Sequence, residues 1–188
     1  DAADDSTADF TAVGLITLTA QDEIGVLGSG TDTDLEFAAS SSVNVSTTGT
    51  GAIDLDGLGA LTLIDVDTVN GAITVTSAGA LTVTDVASGT NGNISLTTTS
   101  EDITGLATVS AGSGNVTLNS AGAIADDGST GTVVTGGVLT ADAAGAITID
   151  STVTSADIST SAAGAIALDE TDGITLTDLD TTDGSITV

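Results

Sequence analysis

A short pattern, Gly–small–Ile/Val–x–Leu/Val/Ile, returns along the whole chain. It reads Gly51-Ala52-Ile53-Asp54-Leu55, Gly71-Ala72-Ile73-Thr74-Val75, Gly92-Asn93-Ile94-Ser95-Leu96 and Gly114-Asn115-Val116-Thr117-Leu118. Later copies are Gly145-Ala146-Ile147-Thr148-Ile149, Gly164-Ala165-Ile166-Ala167-Leu168 and Gly184-Ser185-Ile186-Thr187-Val188. An early variant is Gly14-Leu15-Ile16-Thr17-Leu18, and Leu35-Glu36-Phe37 fills the next place without a glycine. The first apolar residues fall at 16, 35, 53, 73, 94, 116, 147, 166 and 186, so the steps are 19, 18, 20, 21, 22, 31, 19 and 20. A period near twenty is the mark of a stacked repeat, in which no unit buries its apolar face alone.

Each repeat reads as two short strands and a third, less regular segment. A second apolar triplet usually follows the first after eight residues, as in Ile24-Gly25-Val26, Val43-Asn44-Val45, Leu61-Thr62-Leu63, Leu81-Thr82-Val83 and Ile174-Thr175-Leu176. Ile103 and Ile124 continue that series, and Ile158 comes eleven residues after Ile147. Asp65-Val66-Asp67 and Asp85-Val86-Ala87 are the candidate third segments. Alternation with period two marks strands with one buried face. Gly, Asn, Asp and Ser between them supply corners. If each repeat is one coil, Ile16, Leu35, Ile53, Ile73, Ile94, Val116, Ile147, Ile166 and Ile186 form one internal stack. The expected fold is all-β, a parallel β-helix over residues 14–188 preceded by an acidic segment, 1–13, that caps the first coil or joins a neighbour. About nine coils at ~4.8 Å each make a rod on the order of 43 Å long. The 31-residue step reads as an irregular insertion around 118–146.

Composition agrees. Pro is absent, as a coil that pairs on both sides requires, and the only aromatics are Phe10 and Phe37. A β-sandwich also uses short strands, but it usually carries bulkier aromatics and no fixed glycine before every other strand. Long helices are excluded by Thr, Gly and Ser in every window. The 27 acidic residues are unbalanced by any Lys, Arg or His, which would suit a disordered chain, but 40% of the residues are hydrophobic and regularly spaced. The field of such a chain repels phosphates, so nucleic acid is not an expected partner. No apolar run reaches membrane-spanning length, so direct membrane insertion is not expected. Without Cys or His the usual zinc, haem and iron–sulfur ligands are missing.

Gly-Ala-Ile-x-Val followed by Ala-Leu-x-Val, carried by Gly51–Leu55 with Ala60–Leu63, Gly71–Val75 with Ala80–Val83, and Gly145–Ile149, resembles the haemagglutinin-type repeats of filamentous bacterial adhesins. The resemblance spans roughly residues 14–188. It implies a right-handed β-helix, an extracellular or cell-surface location and a role in adhesion or surface layers, with a cell-surface or carbohydrate ligand among its partners. The complete lack of basic residues departs from that family's pattern.

The expected function is structural: a filament or rod subunit stacking head to tail, with Phe10, Phe37, Ile186 and Val188 at the junction between copies. A segment of a giant adhesin is the alternative. A second is an ice-binding β-helix, with Thr17, Thr74, Thr117, Thr148 and Thr187 in one outward ladder and Thr62, Thr82, Thr104 and Thr175 in another. Turn carboxylates suit Ca2+, with Asp169, Glu170 and Asp172 as the candidate ligands. No cofactor is otherwise expected. Glycoside hydrolysis by paired carboxylates usually wants aromatic platforms and positioning donors, and Trp, Tyr, His, Lys and Arg are all absent, so no enzyme is expected.

Overall fold

The computed structural model describes residues 7–25, 34–131 and 133–188. It is an all-β parallel solenoid with roughly seven turns of about 20 residues. Each coil crosses three faces. The first face holds Ile53–Gly57, Ile73–Ser77, Ile94–Thr98 and Val116–Ser120, paired in parallel with Ile53 on Ile73, Ile73 on Ile94 and Ile94 on Val116. On the second face Leu61 lies on Leu81, Leu81 on Ile103 and Ile103 on Ile124. The third face stacks Val45, Val66, Val86, Val109 and Val134, so the segments around Val66 and Val86 are strands as expected.

The interior is narrow and apolar. Leu55, Leu63, Val75, Leu96 and Leu118 are fully buried. Each such Leu contributes about 2 kcal/mol by leaving water. Where an inward position meets a corner, the apolar residue gives way to a buried hydroxyl that answers a corner carbonyl. Ser77 Oγ donates to Gly59 O at 2.6 Å and Thr98 Oγ1 to Glu101 O at 2.5 Å. At the other corner Thr68 Oγ1 and Ser88 Oγ, one coil apart, both donate to Gly71 O, at 2.8 and 3.0 Å. Inward-turned carbonyls would otherwise be buried unsatisfied, at a cost of about 1–3 kcal/mol each.

The motif glycine answers to crowding between coils. A Cβ on Gly71 would drive into the Gly51 carbonyl, and one on Gly92 into the Gly71 carbonyl. Gly92→Ala should therefore lower stability by at least about 2 kcal/mol, or on the order of 5 °C in melting temperature. Gly173→Ala, where a Cβ meets nothing within 4 Å, should leave the melt unchanged. Thermal denaturation followed by circular dichroism checks both.

The stack differs from the expected single column. Val116 lies on Leu139, and Leu139 on Ala156. Ile147 lies on Ile124 of the second face and continues through Ile166 to Ile186. The motif therefore moves from the first face to the second between its fourth and fifth full copies. The 31-residue step is one coil of 23, from Val116 to Leu139, followed by the eight-residue step from Leu139 to Ile147. Both faces take an apolar residue at alternate positions, so the same five residues fit either. Ile158 and Leu176, expected on the second face, accordingly pair on the first. Much of 118–146 is paired strand, notably Val134–Ala143 with neighbours on both sides; the exposed stretch is a loop at 127–131.

The N-terminal coil departs too. Ile16 lies on Val43 of the second face. Ile24 bridges to Ile53, and Leu35 pairs with Leu55, so Leu35 does not stack on Ile53. Val26 lies outside the described residues. Phe10 bridges to Phe37, their rings stacked at 5.5 Å, and Phe37 sits in register with Gly57.

Candidate functional site

The outer surface of the first face is a flat lattice of small polar groups. One column runs Asp54, Thr74, Ser95, Thr117, Thr140 and Asp157. The column beside it runs Asp56, Thr76, Thr97, Asn119, Asp142 and Ser159. Hydroxyls fill the middle coils and carboxylates the flanks, and Ser159 Oγ donates to Asp142 Oδ1 at 2.5 Å. The expected first ladder is not assembled. Thr74 and Thr117 share the first face with Ser95 between them, whereas Thr148 and Thr187 stand on the second with Ala167 between them, and Thr17 pairs with Asn44. Of the second ladder, Thr62, Thr82 and Thr104 do align, while Thr175 pairs with Ser155 on the first face. The change of face after Val116 displaces Thr148, Thr175 and Thr187, while Thr17 is displaced because the N-terminal strand already lies on the second face.

Parallel register places carboxylates over one another with no cation in the chain to separate them. Asp150 lies on Asp169 and Asp157 on Asp178. Partial burial, then the charges of Asp34 and Asp56, push the Asp54 carboxyl up to about 6. Partial burial, a hydrogen bond with Asp65 and the charges of Asp65 and Asp85 push Asp67 to about 6. Asp85 is raised by burial and by Asp65. Asp150 is raised by burial and then by Asp126, Asp169 and Asp127. Asp127 moves the other way, chiefly because the Ser129 amide donates to it at 2.9 Å.

The three candidate calcium ligands are not brought together. Asp169 is exposed on the second face opposite Asp150. Glu170 turns along the rod, accepting Ser151 Oγ at 2.5 Å and the Val153 amide at 3.2 Å. Asp172 lies on the exposed turn before Gly173. Among the described residues no three acidic side chains are grouped to hold a metal ion. Asp4, Asp5 and Asp32, also in acidic turns of the sequence, lie outside the described residues. Glu36 escaped sequence reasoning: the alternation in Leu35-Glu36-Phe37 turns it outward, yet it is 1% exposed, with its amide donating to the Asp9 carboxylate at 3.2 Å.

The C-terminal coil presents an apolar edge. Thr175–Thr181 pairs on one side with residues 155–160, and Ile186–Thr187 on one side with Ile166–Ala167. Leu176, Ile186 and Val188 are 44%, 43% and 60% exposed. At the opposite end Leu15–Ala20 pairs with 42–47 alone among the described residues. Of the four residues expected at a junction, Ile186 and Val188 lie on this open surface. Phe37 does not: it is fully buried beneath Phe10.

No family model, no curated protein and no solved structure matches this chain. The parallel β-solenoid is consistent with many adhesin-type repeat proteins and does not single out one family among them.

Proposed function

We propose that this chain is a structural element of an extracellular filament or surface rod, built by head-to-tail stacking of coils. The scaffold itself is a β-solenoid. What supports the further step is the coil-on-coil parallel register, which leaves Leu176, Ile186 and Val188 exposed to whatever coil stacks on them next, of this chain or of a second copy. An open strand edge templates another strand. The Leu15–Ala20 strand offers the matching edge in the same parallel sense, and a contact between unlike ends does not close on itself, so it propagates as a fibre. The work is mechanical: each added coil buries another layer of Ile, Leu and Val. The acidic outer faces keep neighbouring rods apart sideways, which favours growth along the axis.

Electron microscopy of the purified chain at physiological salt tests this reading. The expected result is long uniform fibres of single-rod width with a layer spacing of ~4.8 Å along the axis. Isolated short rods at every protein concentration sink it.

A further inference from the structure

Six asparagines occur in the chain, and three begin an Asn-x-Ser/Thr triplet: Asn44-Val45-Ser46, Asn93-Ile94-Ser95 and Asn115-Val116-Thr117. That triplet is the acceptor signature for N-linked glycans, but spacing alone is a weak signal. The fold separates the three. Asn93 and Asn115 occupy equivalent corner positions in adjacent coils, immediately before first-face strands, and both are exposed. The side-chain carbonyl of Asn93 accepts the Asn115 amide at 2.9 Å, and that of Asn115 accepts the Val138 amide at 3.2 Å. Each side chain is thus held by its oxygen. The residue between, Ile94 or Val116, points into the core, and the hydroxyl of Ser95 or Thr117 returns to the outer side with its asparagine. The surroundings are small: Gly92, Gly114 and Gly137 line this corner, and a Cβ on Gly137 would crowd the Asn115 oxygen at 3.2 Å. Asn44 differs. It sits mid-strand, half-buried, and its Nδ2 donates to Asp65 Oδ2 at 3.3 Å.

We propose that Asn93 and Asn115 are N-glycan acceptors and that Asn44 is not. In the transfer, Nδ2 attacks the anomeric carbon of a polyprenyl-pyrophosphate-linked oligosaccharide. A nitrogen–carbon bond forms, the carbon–oxygen bond to pyrophosphate breaks, the lipid pyrophosphate leaves with the electron pair, and the nitrogen gives one proton to the transferase. The bond from each Oδ1 to the next coil survives, because the carbonyl is untouched. A glycan on Nδ2 of Asn44 would displace Asp65 and press against the neighbouring strand. Two glycans one coil apart would screen one corner of the rod.

The proposal rests on the extracellular reading and, in addition, on passage through a glycosylating export route. The test supplies that route, so a negative result counts against the acceptor sites and not against the native location. The full chain is secreted behind a cleavable signal from a eukaryotic host that carries an oligosaccharyltransferase. The folded product is deglycosylated enzymatically in H2-18O and mapped by mass spectrometry. Heavy-oxygen aspartate is expected at 93 and 115 and absent at 44. Ser95→Ala and Thr117→Ala, which spare the asparagines and their backbone bonds, should each remove one glycan from the intact mass, and Ser46→Ala none. An unmodified Asn93 or Asn115 in wild-type folded protein overturns the assignment, and so does a glycan on Asn44.

Discussion

Lowering the pH from 7 to 5 at low ionic strength should raise the melting temperature. Most proteins lose stability on acidification because paired carboxylates must be protonated; here no basic partner exists. The Asp54 and Asp67 carboxyls are raised to about 6, so the folded state binds their protons more tightly than the unfolded chain does. Their stabilisation is fully present below the unfolded value of 3.8 and is lost as pH rises through about 6. Asp85 and Asp150 shift in the same direction. Both sites at about 6 are partly solvated. With that screening allowed for, they contribute on the order of 2 kcal/mol between them, or about 4–8 °C. Asp127, lowered by the Ser129 amide, works the other way at the acid end. Raising salt to about 0.5 M at pH 7 should give part of the same gain, since the Debye length then falls well below 8 Å. A melting curve that moves down between pH 7 and 5 would refute this account of the carboxylate columns.

The second large effect tests the change of face. Leu139→Asp should unfold the rod or cost more than about 4 kcal/mol, because Leu139 is fully buried between Val116 and Ala156 and the new charge would have no partner. Val138→Asp, at a position 36% exposed, should cost less than about 1 kcal/mol. Were 118–146 an irregular insertion, with Val116 directly against Ile147, the two substitutions would be similarly mild. Urea denaturation distinguishes the outcomes. Ile73→Asp, in the undisputed part of the stack, provides the reference for a broken column.

Much of this architecture was legible in the residues. The period near twenty, the strands at Ile53, Ile73 and Ile94, and the third segments at Val66 and Val86 all appear where alternation and glycine spacing put them. The change of face was hidden because the motif records only that one apolar residue follows another at two positions' distance. That requirement is the same on both faces, so Ile147 carries no mark of its new place. Val133-Val134 and Leu139 did carry a signal, as apolar residues inside the supposed insertion, but their partners are 23 or more residues back along the chain. Phe37 was hidden for another reason: whether a ring ends at a junction or inside depends on what faces it, and here that is the ring of Phe10. Asp169, Glu170 and Asp172 are not grouped because adjacency in a turn does not bring side chains together. Parallel pairing couples each carboxylate to a residue about twenty positions away, which is why Asp169 meets Asp150 and Glu170 meets Ser151.

The interchangeable faces also govern how such a chain can change length. In most repeat proteins, insertions and deletions survive only in whole units, because any other length turns the core outward. Here the Gly-Ala-Ile segment is tolerated on two faces, so a change of one coil plus about eight residues is absorbed as a rotation of the pattern around the axis. Lineages of this rod can therefore differ by fractions of a repeat and keep the same cross-section. The exterior does not repeat with the motif: the first face carries Thr, Ser and Asn on its middle coils, with Asp54 and Asp56 before them and Asp142, Asp157, Asp178 and Asp180 after. One duplicated motif thereby yields a rod whose middle and flanks differ chemically.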